Sequence, residues 1–105
     1  MSRDSEILSK IRQVVYSSYP DAEIILYGSR ARGDSKKLSD WDLLILLNFP
    51  EITFNIETKL IDDLYDIEID TGEVISTLLY TKKDWNEYHT FTPLYGNIQK
   101  DGIRL

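Results

Sequence analysis

The 105-residue chain contains no cysteine. It therefore cannot form disulfide bonds or bind a metal through thiolates, and a reducing compartment is compatible with its composition. His89 is the single histidine, which argues against a zinc site, and we expect this residue to pack or to face solvent. Disulfide scaffolds and thiolate zinc domains are thus excluded.

The chain also lacks a basic excess and long apolar runs. Its 18 Asp and Glu residues against 12 Lys and Arg residues give a formal net charge of −6, which opposes binding to duplex nucleic acid. Residues 1–6 are polar, and no run of about 20 apolar residues is present. We therefore expect no membrane segment and a cytoplasmic location. The length and the 42% hydrophobic content suit one folded domain over residues 1–105.

The hydrophobic pattern predicts that helices and strands alternate along the chain. Three segments rich in β-forming residues are predicted strands, and these are residues 23–27, 40–47 and 74–80. Four segments have the pattern of amphipathic or capped helices, and these begin at Ser2 or Asp4, at Thr53, near Lys83 and at Thr92. The fold class is therefore α/β (α+β), a small mixed sheet of three or more strands packed with helices.

Two carboxylates stand at the start of the second predicted strand. Asp40 and Asp42 are separated by one residue, so their side chains would share one face while Trp41 points to the other. Carboxylates held this close repel each other, and a hard divalent cation such as Mg²⁺ relieves that repulsion. Asp40 and Asp42 are thus candidate metal ligands. The simpler alternative is that Asp40 caps a turn and that Asp42 is solvated.

A Gly-Ser turn, Gly28 and Ser29, follows the first predicted strand. Glycine permits a positive φ and a close backbone approach, and the N–H groups of such a turn can form an anion-binding concavity. Arg30 and Arg32 would pair with phosphate oxygens if they point inward. Alone, the turn is explained as an ordinary connection. Beside the carboxylates, it would supply phosphate donors next to metal ligands.

The remaining polar and aromatic residues have structural explanations. Lys36 and Lys37 are expected at the surface. Six aromatic residues are expected to pack in the core because they supply large apolar areas, and these are Tyr16, Trp41, Tyr65, Trp85, Phe91 and Tyr95.

The spacing of these motifs resembles that of a known superfamily. Gly-Ser, ten residues and then Asp-x-Asp over residues 28–42 resemble the signature of the nucleotidyltransferases typified by DNA polymerase beta. The similarity is closest to the minimal bacterial branch, the MNT family, which is often paired with HEPN-domain toxins. The resemblance implies a polymerase beta-like core, with nucleotide phosphates at Gly28 and Ser29, and with two Mg²⁺ ions on Asp40 and Asp42.

The third predicted strand departs from the superfamily pattern. The superfamily usually places a third metal-binding carboxylate there, and by position it would fall near Ser76, whose hydroxyl cannot replace an acid. Glu73 and Asp70 lie just before this strand, and Glu73 is the candidate substitute. Each is also explained as a solvated residue at a helix end.

The resemblance implies a metal-dependent nucleotidyltransferase that transfers NMP to an acceptor hydroxyl. ATP is the expected donor among the nucleoside triphosphates, and a tyrosine of a partner HEPN toxin is the expected acceptor. The alternative is a catalytically weak antitoxin that acts by binding its partner, because the third acid is missing. An aminoglycoside nucleotidyltransferase is less consistent with the chain, since such enzymes are expected to need a further helical domain. A homo-oligomer stays open.

Overall fold

The structure, a computed structural model, describes residues 3–36 and 38–105. The helices are α1 (Arg3–Ser18), α2 (Ser29–Arg32), α3 (Phe54–Thr71), α4 (Lys82–Tyr88) and α5 (Pro93–Asp101), and the strands are β1 (Glu23–Tyr27), β2 (Trp41–Leu47), β3 (Ile75–Thr81) and β4 (Ile103–Arg104). The predicted mixed class is confirmed. Ser2 as a helix cap and Lys37 as a surface residue lie outside the described residues.

The strands form one mixed sheet in the order β3-β2-β1-β4. Strand β1 is antiparallel to both β2 and β4, whereas β2 and β3 are parallel. The antiparallel β1–β2 pair brings the C-terminal end of β1 to the N-terminal start of β2. The end of the first strand and the start of the second therefore lie side by side at the same end of the sheet.

Helices cover both faces of the sheet. On one face, Leu43 and Ile45 of β2 pack with residues of α1 and α3 in a core that includes Ile11 and Leu60. On the other face, Leu44 and Leu46 of β2 pack with Trp85 of α4 and Ile98 of α5. All residues of β2 except Asp42 are buried, which confirms the predicted central strand.

The helix boundaries follow local capping chemistry. Thr53, Thr81 and Thr92 precede α3, α4 and α5, and each accepts a hydrogen bond through its side chain from the backbone N–H three residues later. Gly72 ends α3 in the left-handed conformation, with φ 75°. The Thr53 and Thr92 starts agree with the sequence prediction.

Two aromatic residues predicted to pack in the core are exposed instead. Tyr65 on α3 is 57% exposed and Phe91 before α5 is 95% exposed, so those two predictions were wrong. Trp41 and Trp85 are buried as predicted. Tyr65 lies one position from Leu64, which already fills the inward side of α3. None of the helices within the described ranges is long and apolar enough to span a membrane.

Candidate active site

The turn after β1 opens α2 with a glycine in an unusual conformation. Gly28 has φ 75° and ψ −158°, and its carbonyl oxygen accepts hydrogen bonds from the N–H groups of Ala31 and Arg32, each at 3.1 Å. Ser29 is the first residue of α2, and the first N–H groups of a helix lack acceptors within it. The N–H groups at the start of α2 are therefore candidate donors for a phosphate.

Gly28 lies directly against Asp42. A side-chain carbon built on Gly28 would overlap Oδ2 of Asp42 and would lie 3.3 Å from its Cγ. Glycine is required here for two independent reasons, the positive φ and this close approach. The predicted juxtaposition of the Gly-Ser turn and the carboxylate strand is thus seen in the packing of these two residues.

The register of the sheet places Ser76 at the position of the missing acid. Asp42 pairs with Ser76 across the parallel β2–β3 ladder and with Tyr27 across the antiparallel β1–β2 ladder. Asp40 lies just before β2, and its Oδ2 accepts a hydrogen bond from the Ser76 hydroxyl at 3.2 Å. A serine therefore stands beside both carboxylates, where an acid would complete a set of three.

The electrostatics of the pair match a site that favours a cation. Partial burial raises the pKa of Asp42, the nearby charge of Asp40 raises it further, and Arg32 opposes this shift. Tyr27 responds to the same field, since burial first, then Asp42 and Tyr80, raise the pKa of its phenol. An ionised Asp42 is thus less stable than an ordinary surface aspartate, and a bound cation would reverse that penalty.

The two candidate arginines occupy different places. Arg32 has 46% of its side chain exposed, donates from Nε to Asp34 Oδ2 at 3.3 Å, and is close enough to influence Asp42. Arg30 has only 8% exposed. Its Nε and Nη2 donate to the carbonyl oxygen of Ser39 at 3.2 and 2.8 Å. Phosphate binding by either stays a prediction, and for Arg30 it would require new contacts.

Glu73 is not brought to the carboxylate pair. Its carboxylate accepts hydrogen bonds from Trp41 Nε1 at 3.3 Å and from Arg3 Nε at 3.2 Å. Trp41 packs in the core on the α1 and α3 face, opposite the face that carries Asp42, so Glu73 lies behind the pair. Asp70 is bound to Lys10, with Oδ2 3.0 Å from Nζ. Across residues 3–36 and 38–105, no three His, Cys, Asp or Glu residues form a group suited to a metal ion.

The donor chemistry nevertheless suits magnesium. Carboxylate oxygens are the protein ligands that Mg²⁺ prefers, and it commonly takes one or two of them and completes its octahedron with water and substrate phosphate. Asp40 and Asp42 provide that number, and burial first and then the charge of Asp40 raise the pKa of Asp42, a penalty that a bound cation would relieve. The two carboxylates therefore fit a metal that binds together with a nucleotide.

Sequence reasoning missed the residues that support this site. Ser39 and Trp41 flank Asp40 and are both held by Arg30, through the Ser39 carbonyl and through the Trp41 ring. Tyr27, the last residue of the first predicted strand, pairs with Asp42, as is expected when the residue before Gly28 faces the Asp-x-Asp strand in an antiparallel pair. The Arg30 contacts have no such local indication.

Comparison with known proteins agrees with this geometry. No curated protein matches the chain. The profile of the nucleotidyltransferase domain matches residues 8–95, which include the Gly-Ser turn, the carboxylate pair and all of β3. This match fits the polymerase beta-like superfamily, and the chain belongs to the nucleotidyltransferase domain family.

Proposed function

We propose that this chain is a metal-dependent nucleotidyltransferase that transfers NMP, with ATP as donor, to an acceptor hydroxyl. The observation that carries the proposal is the direct packing of Gly28 on Asp42, because it joins the phosphate turn and the carboxylate pair in one site. The family match supports the reaction class. The nucleotide and the acceptor are our own assignments.

The reaction requires one bond to form at the α-phosphorus and one to break. The acceptor oxygen bonds to the α-phosphorus, the bond from that phosphorus to the β-phosphate bridging oxygen breaks, and pyrophosphate leaves. The acceptor proton passes to solvent or to a carboxylate of the pair. Backbone donors at Gly28 and Ser29 and the exposed guanidinium of Arg32 would hold the phosphates in line.

Asp40 and Asp42 would hold the metal ions, and their carboxylates are the negative charges that the ions neutralise. When bound, Mg²⁺ supplies charge stabilisation at the transferred phosphoryl group and orients the donor. Ser76 contributes a hydrogen bond to Asp40 rather than a charge. The site therefore relies on phosphate oxygens and water for the remaining metal ligands.

We further propose that the acceptor is a tyrosine of a HEPN-domain protein and that the reaction takes place in the cytoplasm. A protein partner is supported by an exposed apolar stripe on α3, which consists of Phe54, Ile61, Tyr65 and Ile69. The same helix carries six acidic residues and one lysine. Charge complementarity therefore favours a partner whose contacting surface is basic.

Labelled ATP tests the proposal directly. The purified chain with ATP, Mg²⁺ and a HEPN-domain protein encoded beside it should transfer label to that protein. Replacement of both site carboxylates, Asp40→Asn with Asp42→Asn, should abolish labelling. Glu23→Gln is a control, because Glu23 is the first residue of β1, at the other end of that strand from Gly28, and pairs with Arg104 at 3.6 Å.

The second candidate is a module that neutralises its partner by binding alone. Ser76 favours this reading, since a serine replaces the acid that would complete the metal set. It predicts a stable stoichiometric complex that persists in the Asp40→Asn, Asp42→Asn double variant without any label transfer. That result would contradict the enzymatic proposal.

A further inference from the structure

The space behind the carboxylate pair is filled by a cluster of charged and aromatic side chains. Arg30 lies over the Trp41 indole, with 4.3 Å between its guanidinium carbon and the ring centroid. Its Nη2 is 3.5 Å from Oε2 of Glu73, and the two side chains are only 8% and 16% exposed. We call Arg30, Trp41 and Glu73 the rear cluster. A buried arginine with this many partners is fixed in one position.

Arg30 holds the chain on both sides of Asp40. Its guanidinium is confined to this position, because two of its nitrogens donate to the Ser39 carbonyl and it also lies over the Trp41 ring. Asp40 stands between these two residues, and its carboxylate is held from the opposite face by Ser76. Arg30 thus fixes the backbone that carries Asp40, and Ser76 fixes the Asp40 side chain on the opposite face of the sheet.

The same arginine belongs to the helix that begins at the phosphate turn. Arg30 directly follows Ser29, the first residue of α2. One side chain therefore links the Gly28 and Ser29 turn to the backbone before Asp42, across the connection that joins α2 to β2. The β1–β2 pairing and the packing of Gly28 on Asp42 also join the two halves of the site.

Glu73 keeps the arginine in that position. Its carboxylate accepts from Trp41 Nε1 and from Arg3 Nε, so it is oriented independently of Arg30. Lysine cannot reproduce the contacts of Arg30, because an ammonium has no planar fork for the Ser39 carbonyl and the Trp41 face together. The arrangement resembles the supporting contacts that orient metal ligands in other sites.

We propose that Arg30 is a positioning residue that sets the distance between the phosphate turn and the carboxylate pair, with Glu73 orienting it. This inference rests on the proposed function and deepens it. It gives Arg30 and Glu73 roles that differ from phosphate binding and metal binding. Neither side chain needs to touch nucleotide or metal.

Binding measurements on the whole chain test this role. We would measure Mn²⁺, a paramagnetic substitute for Mg²⁺, by electron paramagnetic resonance without nucleotide, and Mg·ATP by calorimetry. Arg30→Lys and Glu73→Gln should each weaken Mn²⁺ binding about 10- to 100-fold, the range for residues that orient metal ligands. The double variant should be no weaker than the more affected single variant, because both changes break one link.

Two further variants make the test specific. Trp41→Phe keeps an aromatic face for Arg30 but removes the donor to Glu73, and it should weaken Mn²⁺ binding in the same direction by a smaller factor. The matched control is another arginine–glutamate pair, Arg104 and Glu23, 3.6 Å apart on β4 and β1. Arg104→Lys and Glu23→Gln should leave Mn²⁺ and Mg·ATP binding unchanged.

Each other outcome contradicts the inference. If Arg30→Lys weakens Mg·ATP binding alone and Glu73→Gln weakens neither ligand, Arg30 is a phosphate ligand. If the variants melt at lower temperature but bind normally below that temperature, the cluster is only structural. Wild-type binding with unaltered variants overturns this inference alone, and so does a wild-type chain that binds Mg·ATP but no Mn²⁺ without nucleotide. A wild-type chain that binds neither Mn²⁺ nor Mg·ATP overturns the proposed function as well.

Discussion

Gly28 tolerates substitution poorly, because its backbone conformation and its contact with Asp42 both exclude a side chain. Gly28→Ala should reduce the free energy of unfolding by more than the roughly 1–3 kcal/mol that a sparsely populated backbone conformation costs, because the new methyl group also overlaps Asp42. Gly72→Ala is the control for a positive φ alone, since Gly72 has the same φ of 75° with ψ 6°, and no atom of the described residues lies within 4 Å of its added carbon. Urea unfolding of both variants measures the difference. Equal losses would show that the Asp42 contact is unimportant.

Asp42 should make the stability of the ligand-free protein depend on pH. Its pKa is raised by folding, so its ionisation opposes folding, and that penalty grows as pH rises from the unfolded pKa through the folded pKa. Asp42→Asn should therefore raise the melting temperature at pH 7 by about 3 °C, equivalent to roughly 0.5 kcal/mol for partly screened charges. Thermal unfolding should show no such gain below about pH 4. A gain that is constant with pH would contradict this origin.

At the scale of residues, those that belong to a local sequence motif could be predicted, and those that are held by long-range contacts could not. Gly28 and Asp42 could be placed together because the Gly-Ser turn and the Asp-x-Asp strand are separated by a recognisable ten-residue spacing. Arg30 and Glu73 could not, since their partners depend on contacts such as Arg3 with Glu73 that join distant parts of the chain. Their polarity alone fits a solvated loop equally well.

The pairing of β2 with β3 shows where the site lacks a third carboxylate. Ser76→Asp places an acid at the position paired with Asp42. We expect this variant to be less stable than wild type without metal, because three carboxylates repel, and to bind Mn²⁺ about tenfold more tightly. Ser76→Asn is the uncharged control and should not improve affinity. Resonance titration and melting with and without Mn²⁺ measure both effects; unchanged affinity in Ser76→Asp would contradict the inferred geometry.

The elements that carry a local sequence pattern were predicted, and β4, which carries none, was not. Strand β1 matches its prediction, and β2 begins one residue later than predicted, at Trp41, whose N–H donates to the Val74 carbonyl at 2.8 Å. Strand β4 has two residues, too few for any alternation, and it exists because Ile103 and Arg104 pair with β1. Tertiary pairing, which no local pattern encodes, created it.

At the scale of the whole molecule, the apolar stripe belongs to α3, the helix that packs on the face of the sheet opposite Asp42. If it contacts the HEPN partner, Tyr65→Ser with Ile69→Ser should weaken that complex about tenfold or more, since exposed aromatic residues often dominate interfaces. Mn²⁺ binding should be unchanged. Phe91→Ser is the control, because Phe91 is an exposed aromatic residue outside the stripe. Calorimetric titration of the partner measures the loss, and full affinity in the double variant would exclude this surface.

The antiparallel β1–β2 pair has a consequence for how relatives of this chain are recognised. The end of β1 and the start of β2 lie at the same end of the sheet. Strand pairing and the Arg30 contact with Ser39 therefore set the distance between the Gly-Ser turn and the two carboxylates. The number of residues in the connection does not set it. Insertions before Ser39 can therefore lengthen the loop without moving the site, so a search that demands ten residues between Gly-Ser and Asp-x-Asp would overlook proteins with the same geometry.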